Sequence, residues 1–165
     1  MKSIYLLSIL ALTITAGCQP KVENEIVDLS SINNSINSFM DGYQEAYNTR
    51  NLSVLSTLLA DNGLYCGTAP DEIFEKQNVI DLWDVIFADT TVNLEYSKEI
   101  REISIANNGK SAIVMERTSF EWSPKIQTRQ TFHLVVNDDG WIIDFVSLAF
   151  LIKNEDVGKL NAALK

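Results

Sequence analysis

Two side chains in this sequence, Tyr43 and Glu116, have the types that proton chemistry needs. Tyr43 sits on the apolar stripe Ile32, Ile36, Phe39, Met40, Tyr43, Ala46 and Tyr47, whose spacings of three and four mark one face of a helix. A buried phenol needs a hydrogen-bond partner, and either the core or a cavity can supply it. Glu116 lies in an alternating segment where it shares a face with Thr118 and Phe120. On a solvated face it is an ordinary acid. Buried beside Tyr43, it would have its pKa raised by desolvation and become a candidate acid or base.

The other reactive types carry less. His133 is the only histidine, and alternation puts it on the face opposite Phe132, where a solvated or dimer-facing role suits it better than catalysis. Arg117 and Arg129 share that outer face by period and read as partners for acids. Cys66, on an apolar strand without other ligand types near it, reads as a small buried hydrophobe. Trp83, Tyr65 and Phe145 read as core or cavity wall. No metal-ligand spacing, P-loop, dinucleotide fingerprint or Ser-His-Asp set occurs, so neither metal nor cofactor is expected. A formal net charge of -9 argues against nucleic acid and anionic headgroups as partners.

The elements that must position these residues read as helices first and strands after. At 165 residues, with 46% hydrophobic and 21% charged, the chain has one globular domain's worth of core. Ser30 or Ser31 can cap the first helix. Asn51 starts a short second helix carrying Leu52, Leu55, Leu58 and Leu59, which closes at Asp61-Asn62-Gly63. A short apolar strand, Leu64–Gly67, follows. Thr68 then reads as the cap of a third helix, with Asp71 completing a capping box and Pro70 in the first turn. Val79, Ile80, Trp83, Ile86 and Phe87 give that helix one apolar face. From Val92 the period becomes two. Strands are expected over Val92–Ala106, Lys110–Trp122, Gln127–Val136 and Trp141–Leu151, turning at Asn107-Asn108-Gly109, Ser123-Pro124 and Asn137–Gly140. Asn154–Lys165 can form a short terminal helix. The fold class is α+β, with N-terminal helices packed on a strongly curved antiparallel sheet that leaves a conical cavity.

The N-terminus reads as an address. Lys2 precedes the apolar run Ile4–Ile14, too short to span a bilayer, and small residues Thr15-Ala16-Gly17 lead to Cys18. This pattern is similar to a bacterial lipobox, which implies a signal peptide over 1–17, lipidation of Cys18 and a tether over 18–29. The domain then occupies 30–155, with 156–165 as a tail or short helix.

The helix-helix-strand opening, the turn at Gly67-Thr68 and the ending Trp141-x-Ile143-x-x-x-x-Leu148-x-Phe150 resemble the SnoaL-like branch of the nuclear transport factor 2-like superfamily, over roughly Ile32 to Glu155. The resemblance implies a cystatin-like roll. It implies no single function, because this superfold carries isomerases, cyclases, dehydratases and binding modules. Gly42-Tyr43-Gln44-Glu45-Ala46-Tyr47-Asn48 through Leu59-Ala60-Asp61 is similar to ketosteroid isomerase, which uses an Asp base with a Tyr and a protonated Asp. On that match Tyr43 falls on the oxyanion tyrosine, the base falls on Gly67 and the neutral acid on Phe132. Two of the three chemical groups are absent, so that mechanism is not encoded. The resemblance also places the Glu116 face inside, and puts Phe145, Ser147 and Ala149 at last-strand positions that are often polar in SnoaL-like relatives.

These readings converge on a lipid-anchored envelope protein that binds a small apolar or amphipathic molecule without catalysis and pairs through the outer face of its sheet. The expected cavity wall is Tyr43, Tyr65, Trp83, Glu116, Thr118, Phe120, Phe132, Phe145 and Ser147. The alternatives are a small lyase or isomerase using Glu116 with Tyr43, and a module that acts only by dimerising.

Overall fold

A computed structural model describes residues 28–164. The first helix, α1 (Leu29–Asn48), starts at Asp28, whose carboxylate accepts from the Ser30 and Ser31 N–H groups at 3.1 Å each. The cap is therefore Asp28, and the two serines are the donors it satisfies. Ile36, Met40, Tyr43 and Ala46 on the expected stripe are buried. Arg50 has φ 56° at the corner between α1 and α2 (Leu52–Leu58), and Asn51 caps α2 through the Val54 N–H at 3.2 Å.

Two local expectations are corrected here. The chain leaves α2 earlier than Asp61, and β1 runs over Leu59–Cys66 with an irregularity between Leu59 and Leu64. Thr68 does not open a helix. Instead Gly67–Glu72 is a tight turn that returns the chain as β2 (Ile73–Phe74), pairing Tyr65 with Phe74 and Cys66 with Ile73. The Glu72 carboxylate accepts from the Ala69 N–H at 2.9 Å, and the Gly67 N–H donates to the Glu72 carbonyl at 2.9 Å. Those bonds favour the turn over the capping box, and α3 begins later, at Lys76–Ala88.

The remaining strands are β3 (Tyr96–Ile105), β4 (Ser111–Phe120), β5 (Thr128–Asn137) and β6 (Gly140–Phe150). They form one sheet in the order β2-β1-β6-β5-β4-β3, antiparallel throughout except for the parallel β1–β6 pair. Gly109, at φ 67°, supplies the left-handed residue of the β3–β4 hairpin. Bulges leave Glu99 on β3 and Asp144 on β6 unpaired, and each bends its strand. The sheet thus curves around α1. Ile36, Met40, Leu55, Leu59, Phe132, Leu134 and Ile143 fill the space between helices and concave face. A 3-10 turn (Asn154–Asp156) and α4 (Val157–Ala163) end the described chain with no buried residue.

Candidate functional site

A cavity of about 400 Å³ opens between α1, α3, the β1–β2 hairpin and the concave sheet. Its size is that of a small-molecule site. Tyr43 and Tyr47 reach it from α1, Leu82, Trp83 and Ile86 from α3, and Phe120, Trp122, Gln130, Val146 and Leu148 from the sheet side. Arg50 holds the open end of α3 in place, donating to the carbonyls of Phe87 at 2.8 Å and of Asp89 and Val92 at 2.6 Å each.

The aromatic walls brace one another. The Tyr47 ring stands edge-on to Trp83 at 6.3 Å, Phe87 at 5.5 Å, Tyr96 at 5.4 Å and Phe120 at 6.2 Å. Burial pushes the Tyr47 phenol up to about 12 and the Tyr43 phenol higher still, so both remain protonated donors at neutral pH. The Tyr65 hydroxyl is committed elsewhere, within hydrogen-bond reach of the Ala60 carbonyl at 2.8 Å and the Ile143 carbonyl at 3.1 Å. A side chain on Gly63 would collide with that hydroxyl, so glycine keeps the tyrosine seated.

Of the residues expected on the wall, Tyr43, Tyr65, Trp83 and Phe120 line the cavity. Glu116, Thr118 and Phe132 share the concave face but do not line the cavity; α1 reaches Phe132 through Tyr43 and Glu116 through Arg101. Glu116 and the Arg101 side chain are shut away from solvent. Arg101 Nε donates to Glu116 Oε1 at 2.5 Å and Nη1 to the Asn37 carbonyl at 3.0 Å, with Asp41 of α1 at 2.8 Å. Burial pushes the Glu116 carboxyl up, and the Arg101 guanidinium offsets part of that rise. The second oxygen of Glu116, Arg101 Nη2 and the Tyr96 hydroxyl have no hydrogen-bond partner among the described residues. Thr118 pairs with Thr128 at 2.6 Å, and Phe132 packs edge-on to Tyr43 at 5.3 Å.

Phe145 and Ser147 are corrected. Both stand on the convex face, with Val146 and Leu148 pointing inward in their place. The Asp144 bulge is the reason: His133 pairs with Phe145 while Leu134 pairs with Ile143, so alternation changes phase between Ile143 and Phe145. On that convex face Asp144 meets His133 at 2.6 Å. Arg117 is a cross-strand neighbour of Arg129 and binds Glu99 at 2.9 Å, with Ser119 and Gln127 donating to the same carboxylate. On the convex face, Arg117 and His133 thus each have an acid partner.

The main residue missed is Glu72. By register it shares a face with Phe74 and Tyr65, and it lines the cavity. Its carboxylate fills the space that a side chain on Gly67 would take. A capping-box reading of Thr68-Asp71 hid it. Tyr47 could have been found from its place one turn after Tyr43 on the same stripe. Cys18 lies outside the described residues, and no described helix is long and apolar enough to cross a membrane.

A family model of the SnoaL-like domain matches residues 36–152. No curated protein matches the sequence. Among solved structures, a domain of unknown function with a cystatin-like fold from Nostoc punctiforme PCC 73102 aligns with TM-score 0.66 at 12% identity, over 81% of this chain and 85% of its own. An NTF2-like protein of unknown function from Pseudomonas putida KT2440 gives 0.64 at 12%, over 76% and 91%. An NTF2-like protein from Cytophaga hutchinsonii ATCC 33406 gives 0.62 at 15%, over 72% and 98%. At these identities the likeness carries the fold alone.

Proposed function

This chain belongs to the SnoaL-like domain family, and from that premise we propose that it is a binding protein for a small apolar or amphipathic molecule held in the cavity. One observation carries the reading: the cavity is walled by Tyr43, Tyr47, Trp83, Phe120 and Trp122, while the expected acid, Glu116, is locked to Arg101 outside it. Apolar burial supplies affinity in such a site, and the two phenols with Gln130 orient the ligand. The proposal extends to location and assembly. The pattern at Cys18 supports a lipid anchor on the bacterial cell envelope, and the half-exposed convex face supports a homodimer through the sheet.

Denaturing extraction of the purified protein, followed by untargeted mass spectrometry, tests the binding function. A stoichiometric apolar molecule is expected, and it should be lost from a Leu148→Trp variant that fills the cavity. Equal recovery from both proteins would place the molecule elsewhere.

A second reading, a proton-moving enzyme, is favoured by one placement. Glu72 brings a carboxylate into the cavity beside Gly67, the position on which the isomerase base falls. Turnover of a bound ketone that is lost in Glu72→Gln while binding persists would favour this reading over simple binding.

A further inference from the structure

A cavity selects the charge of its ligand through the ionisable groups on its wall. Among the described residues that line the cavity, Glu72 is the only charged one, and they include no lysine, arginine or histidine. Its Oε2 accepts from the Ala69 N–H at 2.9 Å, and the bare Gly67 leaves the carboxylate room at the hairpin. Asp71, Glu75, Glu95 and Glu121 are exposed sequence neighbours of lining residues. Two cations near the wall are engaged: Lys76 with Asp61 at 2.7 Å, and Arg50 with three backbone carbonyls.

We propose that the cavity takes a hydrophobic monoamine, with its ammonium on Glu72 and its apolar body among Tyr47, Trp83, Phe120 and Trp122. This rests on the cavity being a small-molecule site and goes further by fixing the ligand's charge. Aromatic faces attract a cation as well as an apolar chain, and a partly buried carboxylate gives the ammonium a charge-assisted hydrogen bond. A carboxylate-bearing ligand would meet Glu72 with no positive group among the described wall residues to offset it. The net charge of -9 favours the approach of cations in the same direction.

The test uses three probes with one carbon skeleton, phenylbutylamine, phenylbutanol and phenylbutyrate, titrated calorimetrically into the full chain at neutral pH. The amine should bind about tenfold more tightly than the alcohol, and the acid most weakly. Glu72→Gln should bring the amine down to the alcohol's affinity and leave the alcohol unchanged, which also shows that the variant's cavity is intact. An alcohol that binds as tightly as the amine, or an amine preference that survives Glu72→Gln, overturns the charge assignment while the cavity reading stands. Failure of all three probes overturns both.

Discussion

The guanidinium of Arg101 and the carboxylate of Glu116 meet at 2.5 Å with both side chains withdrawn from solvent. This contact joins neighbouring strands β3 and β4, and Asp41 extends it to α1. It fixes the helix on the sheet rather than serving the cavity.

Glu116→Gln should therefore act on stability. Breaking a buried ion pair costs about 3–5 kcal/mol, and because Asp41 still partners Arg101 the loss should fall at the low end, about 3 kcal/mol. Chemical denaturation should show that loss, while calorimetry with phenylbutanol shows unchanged affinity. Unaltered stability with abolished binding would return Glu116 to the site.

Phe132→Ala and Tyr43→Phe should separate core from cavity. Phe132 is fully buried, so truncating it should cost about 3–5 kcal/mol. Tyr43→Phe removes only a hydroxyl and should cost about 1 kcal/mol, yet weaken a probe that carries a hydroxyl. Melting curves of the two variants, set against their phenylbutanol affinities, give the comparison.

The helix stripe was legible in the sequence because Ile36, Met40 and Tyr43 repeat at helical spacing, and the hairpins because Asn107-Asn108-Gly109 and Asn137–Gly140 are turn chemistry. The family resemblance, drawn from the helix-helix-strand opening, the turn at Gly67-Thr68 and the Trp141–Phe150 ending, agrees with the match over residues 36–152. The site was less legible, for two physical reasons. Alternation predicts a strand's inner face only while the register is unbroken, and the Asp144 bulge exchanged Phe145 and Ser147 for Val146 and Leu148. A shared face also does not mean a shared cavity: Glu116 and Phe120 lie on the same side of β4, but Arg101, anchored to α1, takes Glu116 while Phe120 lines the cavity.

Acid should expose the role of Glu99. Hydrogen bonds from Ser119 and Gln127, together with Arg117, hold its carboxyl below its ordinary 4.5. A lowered folded-state pKa gives stability that is complete above the unfolded value and is lost as pH falls through the folded one. Glu99→Gln should be less stable than the wild type at neutral pH and converge on it between about pH 5 and pH 3. Urea midpoints across that range measure it, and parallel curves would contradict it.

Cys18→Ser should abolish incorporation of labelled fatty acid and move the protein from the detergent phase to the aqueous phase. Unchanged partitioning would rule out the anchor.

The three tryptophans report on the central claim together. Trp83 and Trp122 line the cavity, whereas the Trp141 Nε1–H donates to Ser35 Oγ at 2.6 Å away from it. In a nitrogen–proton correlation spectrum titrated with phenylbutanol, the indole signals of Trp83 and Trp122 should shift in a saturable way while that of Trp141 stays put. Shifts concentrated instead at Phe145, Ser147 and Met115 on the convex face, or no saturable shift at any indole, would contradict the cavity as the binding site.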